Sequence, residues 1–322
     1  CDGSDEVTSY HGGLTWDGPE TCINCHESEA RDVYQSVMYQ WEGMAPDMTS
    51  GPYLQGKTTG INSYCGNILG DWPVCGSCHI GLGAVLEQAS NPTVAQLANI
   101  DCLLCHQADY KRINVNGTYQ PDPAMTITMD QAVQSVHRPN KYNCLQCHAK
   151  AGGGDAVKRG DLALASSQTK DAHYDIHMST MGGNLDCQNC HQFINHKVTG
   201  KGSDLRPTDA AAEISCEDCH SGKLESQGHF TSKVADHVAR VACQSCHIPE
   251  YAKDASDTPS TEATELHRDW RDGHATQPPF HPGLTLANNV IPEYKFWDRT
   301  STNLNLGDGS TIDPETGFYP TS

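Results

Sequence analysis

The chain has 322 residues and carries 40 acidic against 21 basic side chains, a formal net charge of −19. This charge excludes nucleic acid and anionic membrane surfaces as natural partners, because both would repel the chain, and no stretch approaches the roughly 18 apolar residues of a membrane span. Only 37% of the residues are hydrophobic, which is low for an ordinary core at this length. We therefore expect something other than Leu and Phe to fill the interior.

Taken in order, the chain opens with a polar leader at residues 1–21, rich in Gly, Asp and Ser. Residues 27–41 have helix-forming composition and place Val33, Val37 and Trp41 near one face at i, i+4, i+8 spacing, which predicts a helix there. The long connections, such as residues 114–123 and 152–170, read as excursions. We expect three segments: the leader (1–21), a central domain (22–247) and a C-terminal segment packed on it (248–322).

One pentapeptide, C-x-x-C-H, occurs seven times in the central domain, although random placement of 16 Cys and 17 His would give roughly 0.04 copies. It is the attachment signature of c-type haem: the two thiols form thioethers to the porphyrin, and the His binds the iron. Zinc ribbons do not require the His, and a disulfide framework explains only the even number of cysteines. The motifs are Cys22/Cys25/His26, Cys75/Cys78/His79, Cys102/Cys105/His106, Cys144/Cys147/His148, Cys187/Cys190/His191, Cys216/Cys219/His220 and Cys243/Cys246/His247.

The spacing of the motifs predicts the fold. Their first cysteines lie 53, 27, 42, 43, 29 and 27 residues apart, and the short gaps leave room for little more than a turn and one helix between haems. We predict a multihaem cytochrome c fold, with mainly short α-helices and irregular loops around a closely packed chain of seven haems and little β-structure. One continuous haem unit is favoured over separable domains. Because c-type haem is attached outside the cytoplasm, we expect an exported protein of the periplasm, the outer-membrane surface or the extracellular space.

Ten histidines lie outside the motifs, and bis-His ligation of seven irons needs seven of them. Even if three are surface residues, the surplus predicts mostly six-coordinate iron with no open position, which suits electron transfer. His229 and His237 lie just before the last motif, and His173 and His177 are related by i, i+4. The ten are His11, His137, His173, His177, His196, His229, His237, His267, His274 and His281.

Several strings together resemble the octahaem tetrathionate reductase family over nearly the whole chain. They include G-P-E-T-C-I-N-C-H at residues 18–26, I-D-C-L-L-C-H at 100–106, V-A-C-Q-S-C-H-I-P at 241–249 and N-V-I-P-E-Y-K-F-W at 289–297. The resemblance implies closely spaced haem pairs and a substrate site at the haem of the second motif, where a Lys replaces the distal His and a free Cys lies nearby. Carried over, it implies Lys111 as that ligand, Cys65 as the thiol and Asp109 beside them. It also implies His177, His196, His237, His11 and His229 as distal ligands.

The chain departs from this family at several positions. The family has an eighth motif in a further C-terminal segment, and none occurs here up to Ser322. Met38 and Arg159 stand where the family pattern has His, and His137 is a candidate replacement ligand. Two interpretations of Met38 stay open: a thioether ligand to iron, or core packing, which is favoured.

Two functions from different classes follow. The first is a conduit that relays electrons to a redox partner protein or an external acceptor, with a version in which copies self-assemble through haem stacking. The second is a reductase of tetrathionate, nitrite or hydroxylamine at the Lys-ligated haem, where Cys65 and cationic groups polarise the substrate. The missing eighth motif favours the conduit.

Two further expectations concern the ends of the sequence. Cys1 and the polar Gly/Ser-containing tether after it resemble a mature bacterial lipoprotein, which predicts a lipid anchor on that thiol. Asp308 and Asp313 lie in a turn-rich segment and are candidate ligands for Ca²⁺, although a solvated loop is favoured.

Overall fold

The computed structural model is built mainly from short helices, and its strands form only two-stranded sheets within the described part. It describes residues 10–36, 38–39, 42–44, 48–50, 54–56, 78, 80–82, 89–148, 174–198, 215–224, 229, 232–250, 264–269, 283–294, 296 and 301–302. The helices are α1 (Glu20–Tyr34), α2 (Val94–Leu97), α3 (Cys102–His106), α4 (Met129–Gln134), α5 (Lys141–His148), α6 (Glu217–Leu224), α7 (Ser232–Val238) and α8 (Gln244–His247), with a 3₁₀ turn at Cys187–Asn189.

The strands pair locally, apart from one parallel pair. The antiparallel pairs are β1 with β3, β4 with β5, β6 with β7 and β8 with β9, and β2 pairs with β10 in parallel. Their bounds are β1 (Glu42–Met44), β2 (Met48–Ser50), β3 (Leu54–Gly56), β4 (Arg112–Val115), β5 (Thr118–Pro121), β6 (Phe193–Ile194), β7 (Lys197–Val198), β8 (Thr264–Asp269), β9 (Gly283–Ala287) and β10 (Ser301–Thr302).

Two of the hairpins turn through a pair of left-handed residues. Between β4 and β5, Asn116 and Gly117 have φ values of 54° and 89°, and between β6 and β7, Asn195 and His196 have φ values of 49° and 59°. Two successive positive φ values are those of the two-residue turn that matches the twist of a hairpin, and Asn-Gly is its usual sequence. The histidine at the second position is therefore unusual, since a Cβ disfavours this conformation.

The helix predicted over residues 27–41 was wrong in both bounds. Helix α1 begins at Glu20 and contains the first motif, with a kink at His26 (φ −119°, ψ 36°). It ends at Tyr34, and the Ser36 hydroxyl donates to the carbonyl of Val33 at 2.8 Å, a local bond that competes with helix continuation. The other two residues of the predicted face lie outside the described residues.

The apolar core of the described residues is small and divides into two clusters on either side of helix α3. The first contains Ile23, Ala30 and Tyr34 of α1 together with Leu104, and the second contains Leu103, Tyr110, Ala132 and Val133. Met38 packs against the first cluster, which supports the packing interpretation of this residue. The neighbouring side chains Leu103 and Leu104 enter different clusters, so the two variable positions of the third motif fix its helical turn in place.

Contacts group the chain into two compact units, each assembled from separated stretches. The first comprises Cys1–Cys144, Gln192–Ala211 and Trp297–Ser322, and the second comprises Leu145–His191 and Ala212–Phe296. The first three motifs belong to the first unit and the last three to the second, and the boundary falls within α5. The predicted division at residues 21 and 247 stays a prediction. None of the described helices is long and apolar enough to cross a membrane.

Candidate haem-binding sites

Each motif that the structure describes completely forms a single helical turn or lies on a longer helix. In the last three motifs, the backbone N–H of the His donates to the backbone carbonyl of the first Cys. The bonds are His191 to Cys187 at 2.7 Å, His220 to Cys216 at 2.9 Å and His247 to Cys243 at 3.0 Å. A helical turn brings residues i and i+3 to the same side, so the two thiols of each motif face one direction. In the second motif, Cys78 is described, whereas Cys75 and His79 lie outside the described residues.

The motif cysteines that the structure describes are thiols and not halves of disulfides. None of the thirteen cysteines in the described part of the chain is in a disulfide. In the same part, no three His, Cys, Asp or Glu side chains converge as a metal cage would require. This geometry fits the attachment chemistry predicted from the sequence.

The second thiols of the motifs differ in exposure, which the sequence did not predict. In the first and seventh motifs, Cys25 and Cys246 are exposed, so both residues lie at the surface of the described chain. Cys147 of the fourth motif is half-buried, and burial raises the pKa of Cys105 in the third motif to about 11. Exposure of this kind does not by itself mark Cys25, Cys147 or Cys246 as a cofactor ligand. Haem attachment at these three residues, as at the other motif cysteines, therefore depends on the motif spacing and stays a prediction.

Four motif histidines each face a second histidine from outside the motifs. The separations of the ring centroids fall within a narrow range, whereas the angles between the ring planes differ. The pairs are His11–His26 (6.2 Å, 4°), His106–His196 (6.2 Å, 59°), His177–His220 (6.0 Å, 65°) and His229–His247 (6.1 Å, 54°).

These separations fit an iron between two imidazoles. A bond from a transition metal to an imidazole nitrogen is about 2.0 Å, so a metal bound on both sides separates the two ring centroids by roughly 6 Å. Aromatic rings in ordinary edge-to-face or offset contact also have centroids about 4.5–7 Å apart, so the separations are compatible with an iron between the rings and do not by themselves identify one. Rotating one imidazole about the line that joins the two ring centroids changes the angle between the ring planes but leaves the centroid separation unchanged. The four pairs show this pattern, with similar separations and different angles. His11, His177, His196 and His229 are all distal ligands that the family resemblance implied.

The remaining predicted ligands are not in these pairs. His237 lies on α7 with its side chain exposed, while the imidazole next to His247 is that of His229. His173 lies outside the described residues. The four pairs do not define the second ligands opposite His148 and His191.

His137 was predicted to replace a missing iron ligand, but its hydrogen bonds oppose this. Its Nε2 accepts from the backbone N–H of Ala108 at 3.0 Å, and its Nδ1 donates to the carbonyl of Arg138 at 2.7 Å. Both ring nitrogens are therefore used within the protein. Its own carbonyl accepts from Nδ1 of His106 at 3.0 Å, which leaves Nε2 of His106 to face a metal. Burial lowers the pKa of His106, so this imidazole is held in the neutral form that binds metal.

Thiols of different motifs meet within each unit. The Cys102 thiol donates to Cys22, which lowers the pKa of Cys22, and the same bond together with burial raises the pKa of Cys102. In the second unit, burial and the neighbouring Cys216 raise the pKa of Cys243, and burial followed by the influence of Cys219 raises that of Cys190. The first motif thus adjoins the third, and the sixth adjoins both the fifth and the seventh.

A buried polar cluster beside Cys102 was not predicted from the sequence. Arg112 lies 3.5 Å from the carboxylate of Asp101, and the two side chains are 5% and 4% exposed. Burial raises the pKa of Asp101 to about 6, although Arg112 and a hydrogen bond with Tyr110 lower it. A cavity of about 290 Å³ is lined by Asp101, Tyr110 and both contacting thiols. The only sequence signal was a charged residue directly before the third motif.

The predicted substrate site is only partly described. The side chains of Asp109 and Lys111 are exposed. The backbone N–H of Lys111 donates to the sulfur of Met125 at 3.0 Å. The thiol and the motif histidine that the resemblance places near Lys111, Cys65 and His79, lie outside the described residues, as do Cys1, Asp308 and Asp313. The roles predicted for these residues stay predictions.

Comparisons with known proteins agree with this geometry. Residues 203–248, which contain the sixth and seventh motifs, match the family model described as cytochrome c554 and c-prime. A crystal structure of an octahaem cytochrome c from Shewanella oneidensis superposes with a TM-score of 0.70 at 25% identity, covering 96% of this chain and 69% of that one. A protein of Archaeoglobus fulgidus, described only as uncharacterized, is 26% identical over 238 residues, 60% of this chain and 78% of that protein.

The motif turns with their paired cysteines and the spaced imidazoles agree with a c-type cytochrome, and the superposition extends this to a multihaem fold. The chain is a multihaem c-type cytochrome with a redox, electron-transfer role. The fold prediction of short helices and loops with little sheet is confirmed.

Proposed function

We propose that this chain is an exported electron-transfer protein that carries seven c-type haems, most of them ligated by two histidines. The observation that carries the proposal is the set of four imidazole pairs with centroids 6.0–6.2 Å apart. Haem iron supplies a one-electron couple, and with an imidazole on each side it has no open position for a substrate.

The residues of the chain position the haems and bring neighbouring attachment points together. Each motif turn fixes two thiols and one imidazole, and the second imidazole comes from a different part of the chain. The contact between Cys22 and Cys102 brings two attachment points together in the first unit, and Cys216 with Cys243 does the same in the second. Attachment points in contact support short steps for electrons within each unit.

The proposed location and partners follow from chemistry rather than from the fold. Covalent haem attachment takes place outside the cytoplasm, which supports the periplasm, the outer surface or the extracellular space. A net charge of −19 attracts a cationic redox partner or a mineral surface over about a Debye length. Cell fractionation with haem staining tests the location. Sedimentation of the assembled protein tests whether copies stack into polymers.

Low-temperature EPR of the fully oxidised, assembled protein tests the ligation. We expect low-spin ferric signals to account for most of the haem. A high-spin signal, or a signal of Lys-ligated iron, together with turnover of tetrathionate, nitrite or hydroxylamine, would support the second candidate, a reductase that uses Lys111. Predominantly high-spin iron without turnover would contradict both.

A further inference from the structure

The segment that follows helix α4 is hydrogen-bonded to the end of the third motif. The backbone N–H of His137 donates to the carbonyl of His106 at 2.9 Å, and Nδ1 of His106 donates to the carbonyl of His137 at 3.0 Å. Because a carbonyl only accepts, the second bond places the ring proton of His106 on Nδ1, and Nε2 is the nitrogen left for iron. One residue of the segment therefore holds both the backbone and the ring of a proposed iron ligand.

The imidazole of His137 adds a third bond to the same stretch of chain. Its Nε2 lies 3.0 Å from the backbone nitrogen of Ala108, and a backbone N–H only donates, so Nε2 is the acceptor. The ring proton is therefore on Nδ1, which donates to the carbonyl of Arg138 at 2.7 Å. The ring thus links the residues just after the motif to the peptide group that follows His137 itself.

The two residues before His137 are held to the same region. Gln107 is 3% exposed, and its Nε2 donates to the backbone carbonyl and to the hydroxyl of Ser135 at 3.1 and 2.7 Å. Val136 packs against the apolar cluster that contains Leu103. A buried amide is costly to leave unpaired, so the segment is fixed beside the third motif along its length.

We propose that His137 is a positioning residue of the third haem site, whose imidazole fixes the carbonyl that orients the ring of His106. A carbonyl that accepts from the outer nitrogen of a ligating imidazole fixes the rotation of that ring about its bond to the metal. Residues 136–140, between α4 and α5, form no helix or strand, so side-chain bonds, and no backbone ladder, hold this carbonyl in place. The inference rests on the proposed function, because it needs haem at this site.

The orientation of the His106 ring has a spectroscopic consequence. Its plane makes an angle of 59° with that of His196, the proposed second ligand of the same iron. The angle between two ligand planes sets the largest g value of a low-spin ferric haem, so a ring that turns about its bond to iron changes that value. Loosening the carbonyl of His137 is therefore expected to alter the signal of one haem and to leave the others as they are.

Low-temperature EPR of the oxidised, assembled protein tests the proposal in the wild type, His137→Phe, His137→Gln and the control Thr128→Ala. His137→Phe keeps a ring but loses both side-chain hydrogen bonds, whereas the amide oxygen in His137→Gln is again an acceptor for Ala108. Thr128 caps the other end of helix α4, so Thr128→Ala loosens the same helix away from the third motif. We expect one low-spin component to change its largest g value in His137→Phe, to return toward the wild-type value in His137→Gln, and to be unchanged in the control.

A further variant identifies the component, and another replaces a variant that assembles poorly. His196→Gly identifies it, because the haem that loses this imidazole becomes high-spin. If His137→Phe assembles poorly, Ser135→Ala removes one of the two acceptors of Gln107 and should shift the same component less.

The outcomes separate this inference from the proposed function. A wild-type protein that lacks covalent haem or bis-His spectra would overturn the proposed function itself. A wild-type protein with both features would sustain the function, and an unchanged spectrum of His137→Phe would then overturn only the role of His137. Equal changes in His137→Phe and His137→Gln, a change in several components, or the same change in Thr128→Ala would also overturn that role.

Discussion

Replacing His196 by Gly separates the ligand role of this histidine from its structural role. His196 has φ 59° at the second position of the β6–β7 turn, where a residue with a Cβ is destabilised by about 1 kcal/mol relative to Gly. The greater unfolded-state freedom of Gly offsets about 0.5–1 kcal/mol of that gain. The backbone effect on the free energy of unfolding is therefore close to zero, and the hairpin should persist. The substitution removes the imidazole whose ring centroid lies 6.2 Å from that of His106. One iron of the proposed seven therefore loses its second imidazole ligand and becomes high-spin.

Asn195→Gly is the matched control, because Asn195 occupies the first position of the same turn with φ 49°. EPR and optical spectra of both assembled variants should show one high-spin haem in His196→Gly and none in Asn195→Gly. Added imidazole should return the His196→Gly spectrum to low spin. Identical, fully low-spin spectra for the two variants would refute the reasoning, as would high-spin iron in both.

Three other predictions follow from the described residues. The one nearly parallel imidazole pair, at 4°, should give a well-resolved rhombic low-spin EPR signal, and the three pairs at 54–65° should give signals with a larger maximum g value; four rhombic signals would contradict these angles. For Asp101, the folded-state pKa of about 6 exceeds the reference value of 3.8, so its stabilising contribution is present below about pH 4 and is lost as the pH rises through about 6. That shift corresponds to about 3 kcal/mol, so denaturation curves of Asp101→Asn should lack this pH dependence, whereas the exposed control Asp109→Asn should keep it. The Tyr294 hydroxyl donates to the carbonyls of Gln244 and Ile248 at 2.9 and 3.2 Å, so Tyr294→Phe should lower the stability of α8 by about 1 kcal/mol, measured as faster amide exchange there; unchanged exchange would contradict that role.

The sequence predicted what depends on local spacing. C-x-x-C-H needs only one helical turn to place its thiols and imidazole, so attachment and short helices could be inferred without knowing the tertiary structure. The hairpin between β4 and β5 was classed as an excursion, although Asn116-Gly117 is a strong turn signal. Helix α1 was placed too late because the apolar periodicity after His26 was followed and the helical requirement of the motif itself was not.

Long-range contacts were not predictable from the spacing of the motifs. Cys22 and Cys102 are 80 positions apart, and only tertiary packing brings them into hydrogen-bond contact. The family resemblance implied which histidines are distal ligands but not which motif each one faces, whereas the residues alone indicated only a surplus of histidines. Asp101 and Arg112 carry no motif, so their buried pairing required the structure.

The most direct test of the central claim is an intact mass measurement under denaturing conditions, combined with a pyridine haemochrome assay on the same sample. Thioether bonds survive unfolding, so the 35.0 kDa polypeptide should carry the added mass of seven haems, and the assay should return seven equivalents per chain. A mass equal to that of the bare polypeptide, or far fewer than seven equivalents, would contradict the account.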